Sequence, residues 1–275
     1  MSDRRSAPDP RAIERARRLL DDADAIVIAA GAGMGADAGL PTFRGDQGFW
    51  RAYPALGRRG MSFTDVASPL TFVRDPRLAW GFYGHRLALY RATAPHAGYA
   101  LLRELAARVR HGAFAVTTNV DGHFLRAGFD DAEVWEMHGT IHRLQCPTPC
   151  RDELWPADAF VPDVDAPACR LLNEPPVCPH CGEVARPNVL MFSDWAWIPD
   201  RAGAQERAFD EFLERARRPV VLELGAGTAI PSLRHLSRQH RWPVVRVNPD
   251  EPDVREGEGV GIACGALDAL RELCA

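Results

Sequence analysis

The stretch that most constrains this chain is Ala25 to Gly45, AIVIAAGAGMGADAGLPTFRG. Ala25 to Ala30 is a short, continuous apolar run bounded by Asp24 and Gly31, the pattern of a strand buried on both faces of a parallel sheet. Gly31 and Gly33 follow at once, where a chain without side chains can turn tightly and bring its N–H groups close to a phosphate. A dinucleotide fingerprint of the G-x-G-x-x-G kind would run on into a helix and then into a second strand ending in an acid about 20 residues later. Here Gly39, Pro41, Phe43, Arg44, Gly45 and Gly48 break any long helix, and no strand pattern follows. The segment therefore reads as a nucleotide loop of another design. The irregular, aromatic- and arginine-rich stretch Asp46 to Ser68 reads as a loop region closing over it, with Trp50, Tyr53 and Phe63 as local packing.

A chain of 275 residues is long enough for one large domain or two unequal ones with a sizeable core. Its net charge of -4 gives no reason to expect nucleic acid or a membrane surface as an obligatory partner. The first twenty or so residues hold no apolar signal-peptide core, and no apolar run approaches the roughly 18 residues of a membrane span, so a cytoplasmic protein is expected. All 33 basic residues are arginine. The absence of lysine excludes a P-loop lysine and a Schiff-base lysine, and leaves none to carry an acyl group.

Further along, Asp9-Pro10 and Asp75-Pro76 are N-cap and first-turn signals of two helices. In the second, Tyr83 and Arg86 stand at i and i+3 and share a face. They read either as a solvated surface pair or as a buried phenol and guanidinium able to bind a carboxylate. Ala113 to Thr118 is the next buried strand and delivers Asn119 and Asp121 to a loop at its carboxyl end, where open α/β sheets bind ligands. Glu133 to Met137 is another strand, followed by His138, which reads either as a satisfied structural residue or, with an unperturbed pKa of about 6.5, as a base near neutral pH. His123 and His142 read as bystanders. Pro219 to Leu224 is a buried strand ending at Gly225-Ala226-Gly227, and Val244 to Val247 a further strand ending in Asn248.

Seven cysteines are an odd number, and four of them cluster as Cys146-x-x-x-Cys150 and, after a proline-rich spacer, Cys178-x-x-Cys181. This spacing fits a closed tetrahedral thiolate site for structural zinc, with unpaired reduced cysteines as the alternative. Cys169 and His180 are less well spaced substitutes for a ligand.

Six of these motifs, in this order and spread from Ala25 to about Leu267, resemble the sirtuins: GAGMGADAGLPTFRG, TTNVDGHF, Glu136-Met137-His138-Gly139, the two cysteine pairs, RPNVLMFSDW and the second glycine loop with Asn248. The resemblance implies an α/β fold, a Rossmann-like parallel sheet with a second, smaller zinc-binding and helical domain. The large part would comprise residues 1–45, 96–140 and 187–275, and the small part 46–95 and 141–186. It implies NAD-dependent removal of acyl groups from lysine side chains of proteins, releasing nicotinamide and O-acyl-ADP-ribose. It places His138 as general base, with Asn119 and Asp121 at the nicotinamide ribose and carboxamide. Gly31, Ala32, Gly33, Phe43, Arg44, Thr118, Gly225, Ala226, Gly227 and Asn248 would line the NAD site. Val189 and Phe192 would meet the substrate peptide. Tyr83-x-x-Arg86, with Thr42, is similar to the branch that removes succinyl and malonyl groups. Gly35, Thr118, Ala226, Gly227 and the pair Ser193-Asp194 depart from the family pattern, which keeps protein ADP-ribosylation or NAD hydrolysis as an alternative. The run VLELGAGTAIPSL also resembles the first motif of S-adenosylmethionine methyltransferases, but too few strands follow it for that fold.

Overall fold

A computed structural model describes residues 8–42 and 45–275. In chain order its strands are β1 (Ala25–Ala30), β2 (Ala113–Thr117), β3 (Val134–Glu136), β4 (Gly139–Gln145), β5 (Trp155–Pro156), β6 (Val164–Asp165), β7 (Arg170–Leu171), β8 (Arg186–Val189), β9 (Pro219–Leu224), β10 (Val244–Val247) and β11 (Gly259–Ile262). Six of them form one parallel sheet in the order β11-β10-β9-β1-β2-β3. β1 and β9 are buried at every position and lie side by side, from Ala25 opposite Pro219 to Ala30 opposite Leu224. Such unbroken apolar strands need cover on both faces. Helices Pro10–Asp21, Gly98–Arg108 and Ala266–Cys274 cover Ile26, Ile28 and Ala30. Helices Asp200–Arg215 and Ser232–Gln239 cover Val27 and Ala29, with Phe209, Phe212 and Leu233 packed between. The chain builds outward from β1 through β2 to β3, then returns to the other side of β1 with β9. The strand order reverses there, and a crevice opens at the carboxyl ends.

A second core forms around the helix Pro76–Ala92, which is buried around most of its circumference. A Cβ on its Gly81 would lie 2.2 Å from the Cys169 carbonyl oxygen, so only glycine lets β7 come this close. Strands β5, β4 and β8 make an antiparallel sheet in that order, and β6 pairs with β7. The stretch expected to be irregular, Asp46 to Ser68, instead holds short helices at Gly45–Ala52, Pro54–Arg58 and Phe63–Val66. Their start signals are local: a proline at the first turn after Tyr53, and a capping box between Ser62 and Asp65. Elements this short show too few turns for a helical period to be legible. β8 ends at Val189, and the chain bends at Ser193 (φ 54°). Among the described residues, no helix is long and apolar enough to cross a membrane.

Candidate active site

Between the two cores lies a cleft of about 580 Å³. Its lining includes residues 31–33 and 225–227, residues 118–121 with His138, and Tyr83, Arg86 and Tyr90. The 118–121 loop lies between the other two groups, since Asn119 bonds Gly31 and Asp121 neighbours Tyr90. Phe43 and Arg44 lie outside the described residues.

The two glycine loops touch backbone to backbone. The Gly31 N–H donates to the Leu224 carbonyl at 2.9 Å and the Gly33 N–H to the Gly225 carbonyl at 3.0 Å. A Cβ on Gly33 would fall 2.6 Å from the Gly225 Cα. This corrects the reading of Gly31 and Gly33 as phosphate donors: they line the cleft, but their own N–H groups hold the second loop. Asn248 also differs from expectation. It is 1 % exposed and lies outside the cleft lining. Its Nδ2 donates to the Ala226 carbonyl at 2.9 Å, and its Oδ1 accepts from the N–H groups of Asp250 and Glu251. Arg234 donates to the same Ala226 carbonyl at 2.8 Å. Behind it, Arg246 on β10 pairs with Glu223 on β9 at 2.6 Å, and the two residues are cross-strand neighbours. Sequence reasoning missed this network, although a charge inside each of the apolar runs PVVLEL and VVRV is the signal for it.

At the end of β2, the Thr117 hydroxyl donates to the Ala30 carbonyl at 2.8 Å and accepts from the Asn119 N–H at 3.0 Å. Asn119 Nδ2 then donates to the Gly31 carbonyl at 3.0 Å, tying this loop to the first glycine loop. Asp121 is buried, and its Oδ1 accepts the His123 N–H at 2.9 Å. His142 reads as a bystander in the sequence, yet its Nε2 donates to the Asp121 carbonyl at 2.9 Å and braces that loop. His123 is fully buried beside Tyr99.

His138 sits in the tight turn between the end of β3 at Glu136 and the start of β4 at Gly139. Gly139 is left-handed at φ 73°, and a Cβ there would lie 2.1 Å from the Asn188 carbonyl oxygen, so the turn that presents His138 requires glycine. Burial holds the imidazole below its ordinary 6.5, with a hydrogen bond to the Thr118 backbone working the other way. Thr118, a departure from the family pattern, thus bonds the histidine through its main chain. Beneath it, burial pushes the Glu136 carboxyl up to about 7 against the opposing Arg201, whose Nη1 lies 2.6 Å away. Arg201 also reaches Asp131, fastening β3 to the helix Asp200–Arg215.

At the far end, Tyr83 is 1 % and Arg86 8 % exposed, which decides for the buried reading of this pair over the surface one. The guanidinium carbon lies 5.3 Å from the Phe82 ring centroid, 5.8 Å from that of Tyr83 and 5.4 Å from that of Tyr90. Tyr90 accepts from Arg86 Nε at 3.0 Å and from Nη2 at 2.8 Å. Sequence reasoning missed Tyr90, though its i+4 spacing from Arg86 is the signal that could have found it.

β8 is an edge strand, with Val189 opposite Gly139 and Leu190 donating to the His138 carbonyl at 2.9 Å. Phe192 is 38 % exposed and its ring lies 5.7 Å from that of Phe63. The bend after β8 is held by a fully buried pair, Arg186 to Asp194 at 2.6 and 2.9 Å.

Away from the cleft, the sulfur atoms of Cys146, Cys150, Cys178 and Cys181 all lie within 4.8 Å of one another, with Cys146 to Cys181 at 3.6 Å and Cys150 to Cys178 at 3.7 Å. A tetrahedron of thiolates around zinc, with Zn–S near 2.3 Å, has edges of roughly 3.8 Å. The four sulfurs fit such an ion, and four protein ligands leave no open position for catalysis. Cys169 is not part of the cluster: it is buried against Gly81, and His180 pairs with Glu153 at 2.7 Å.

The sequence profile of the Sir2 family matches residues 31–205. An NAD-dependent protein deacylase of Thermus thermophilus is 31% identical over 261 residues, covering 94% of this chain and 92% of its own. The mitochondrial NAD-dependent protein deacylase sirtuin-5 of Canis lupus familiaris is 33% identical over 193 residues, covering 65% of this chain and 59% of its own. The fold matches the crystal structure of a Sir2 homologue–NAD complex with a TM-score of 0.71 at 24% identity, over 95% of this chain and 92% of that one. The methyltransferase alternative falls with these matches, and the chain belongs to the Sir2 family.

Proposed function

We propose that this chain is an NAD-dependent protein lysine deacylase acting on acylated lysine side chains of other proteins, with a preference for acyl chains that end in a carboxylate. The observation that carries the reading is the shared cleft: the glycine loops, the Thr118–Asp121 loop, His138 and a buried guanidinium all border one space. Its volume falls within the range of about 300 to 1,000 Å³ of cofactor and ligand pockets. The chain is taken to divide as expected, with 1–45, 96–140 and 187–275 in the large part and 46–95 and 141–186 in the small one.

NAD, when bound, supplies a glycosidic bond whose cleavage releases nicotinamide and leaves the ribose C1′ open to attack by the acyl oxygen. The chain's own residues do the rest. Residues 31–33 and 225–227 border the cofactor, Asn119 and Asp121 hold the reacting ribose and the carboxamide, and Val189 and Phe192 border the peptide. His138 is uncharged at neutral pH because burial lowers its pKa, so one ring nitrogen can accept a proton while the other bonds the Thr118 backbone. At the acyl end, a terminal carboxylate gains charge-assisted hydrogen bonds from Arg86, worth about 1.5 to 3 kcal/mol. An acetyl group gains none of this.

Incubation of the zinc-loaded protein with NAD and a succinyl-lysine peptide, followed by mass spectrometry, tests the reading. Deacylated peptide together with O-succinyl-ADP-ribose is the expected result. Consumption of NAD without deacylated peptide would overturn it in favour of ADP-ribosyl transfer or NAD hydrolysis.

A further inference from the structure

Resting on the acid-preferring reading of this cleft, we infer that Tyr90 is a positioning and specificity-determining residue: it splints Arg86 and donates its own hydroxyl hydrogen to the terminal carboxylate of the acyl chain. Tyr83, Arg86 and Tyr90 stand at i, i+3 and i+7 of one helix and so lie along one face. Helical side chains lean towards the N-terminus, which lays the Tyr90 phenol back over the guanidinium. A phenol oxygen both accepts hydrogen bonds and carries one hydrogen to donate. Arg86 Nε and Nη2, the two donors of one guanidinium edge, both reach this oxygen, at 3.0 and 2.8 Å. A guanidinium has no acceptor, so the hydroxyl hydrogen is not used by Arg86, and among the described residues no acceptor receives it. Tyr90 also lines the cleft itself, together with Tyr83 and Arg86.

The phenol remains protonated at neutral pH, since burial pushes its pKa up while Arg86 opposes and Asp121 adds to the rise. Holding Arg86 by its Nε–Nη2 edge fixes the plane of the guanidinium. The Nη1–Nη2 edge is then presented in one orientation, the fork geometry that binds both oxygens of a carboxylate. A flexible guanidinium would lose rotamer freedom on binding that this one has already lost on folding.

The test is Tyr90→Phe in the full-length, zinc-loaded protein, which keeps the ring and removes only the hydroxyl. Two readouts are taken for matched succinyl-lysine and acetyl-lysine peptides: kcat and KM with NAD, and peptide affinity by fluorescence anisotropy in its absence. The KM and the dissociation constant for the succinyl peptide should rise about tenfold to a hundredfold, with kcat and the acetyl values within about twofold of wild type. Equal losses for both peptides, or no loss for either, would overturn the role of Tyr90. A fluorotyrosine at position 90, a stronger donor of the same shape, provides a second variant should the first not fold. It should tighten the succinyl peptide relative to the acetyl peptide, and an unchanged ratio would count against the inference. Failure of the underlying reading looks different: wild-type protein that turns over neither peptide refutes the deacylase, and wild-type protein that favours acetyl refutes the acid preference.

Discussion

The two ends of the cleft are built by different means. The cofactor end rests on strands β1 and β9 and on loops that hold one another through the main chain, as where Gly33 meets Gly225 and Asn119 meets Gly31. The acyl end rests on side chains of one buried helix, Tyr83, Arg86 and Tyr90, packed against a small module that carries the four cysteines. Main-chain architecture needs only glycines and apolar runs in the right order. Side-chain architecture needs particular groups held in particular orientations, and a module rich in proline held together by a metal. The first end should therefore govern whether the reaction occurs, and the second which acyl group is taken.

The sharpest way to separate the ends is His138→Ala. It should lower kcat for succinyl and acetyl peptides alike by about 10²-fold to 10⁴-fold, the usual contribution of a general base. Thermal unfolding should stay close to wild type, since the imidazole is not part of either core. Stripping the metal with a chelator attacks the other end. Because the module's sheet also holds β8, which borders the peptide, activity on all peptides should fall, while circular dichroism retains most of the helix of the large part, since the six-stranded sheet has a core of its own. Arg86→Met comes next in size: succinyl kcat/KM should drop about tenfold to a hundredfold with acetyl little changed.

Gly33→Ala probes the main-chain contact. A Cβ 2.6 Å from the Gly225 Cα forces the two loops apart, and overpacking of this kind costs about 1 to 3 kcal/mol. Denaturant unfolding should show it, with weaker NAD binding. The smallest effect is the pH profile. Burial depresses the His138 pKa below 6.5, so the base stays uncharged down to that lower value, and kcat/KM should hold through pH 6.5 before falling on the acid side. An acid limb centred at or above 6.5 would point to another group.

This contrast also explains what the sequence made legible. The buried strands and the cysteine cluster follow from apolar runs, glycines and spacing, all of which are local. His138 could be singled out only because Glu136-Met137-His138-Gly139 resembles a sirtuin motif; the left-handed Gly139 that fixes its turn came from the structure. The short helices after Gly45 could not, since capping residues such as Ser62 and Asp65 matter there more than any period. Nor could the true work of Gly31, Gly33 and Asn248, because contacts between distant loops leave no pattern in either loop alone. Tyr90 and the pair Glu223–Arg246 were visible as residues, but their partners became evident only when helix and strand neighbours were in place.

The most direct test of the account is a one-pot competition. Equal amounts of a peptide carrying acetyl-lysine and the same peptide carrying succinyl-lysine are incubated with NAD and either wild-type or Arg86→Met protein, and both deacylated products and their O-acyl-ADP-ribose partners are counted by mass spectrometry. The account predicts that wild type consumes the succinyl peptide first and that Arg86→Met loses this order while still removing acetyl groups. An unchanged order in the variant would contradict it.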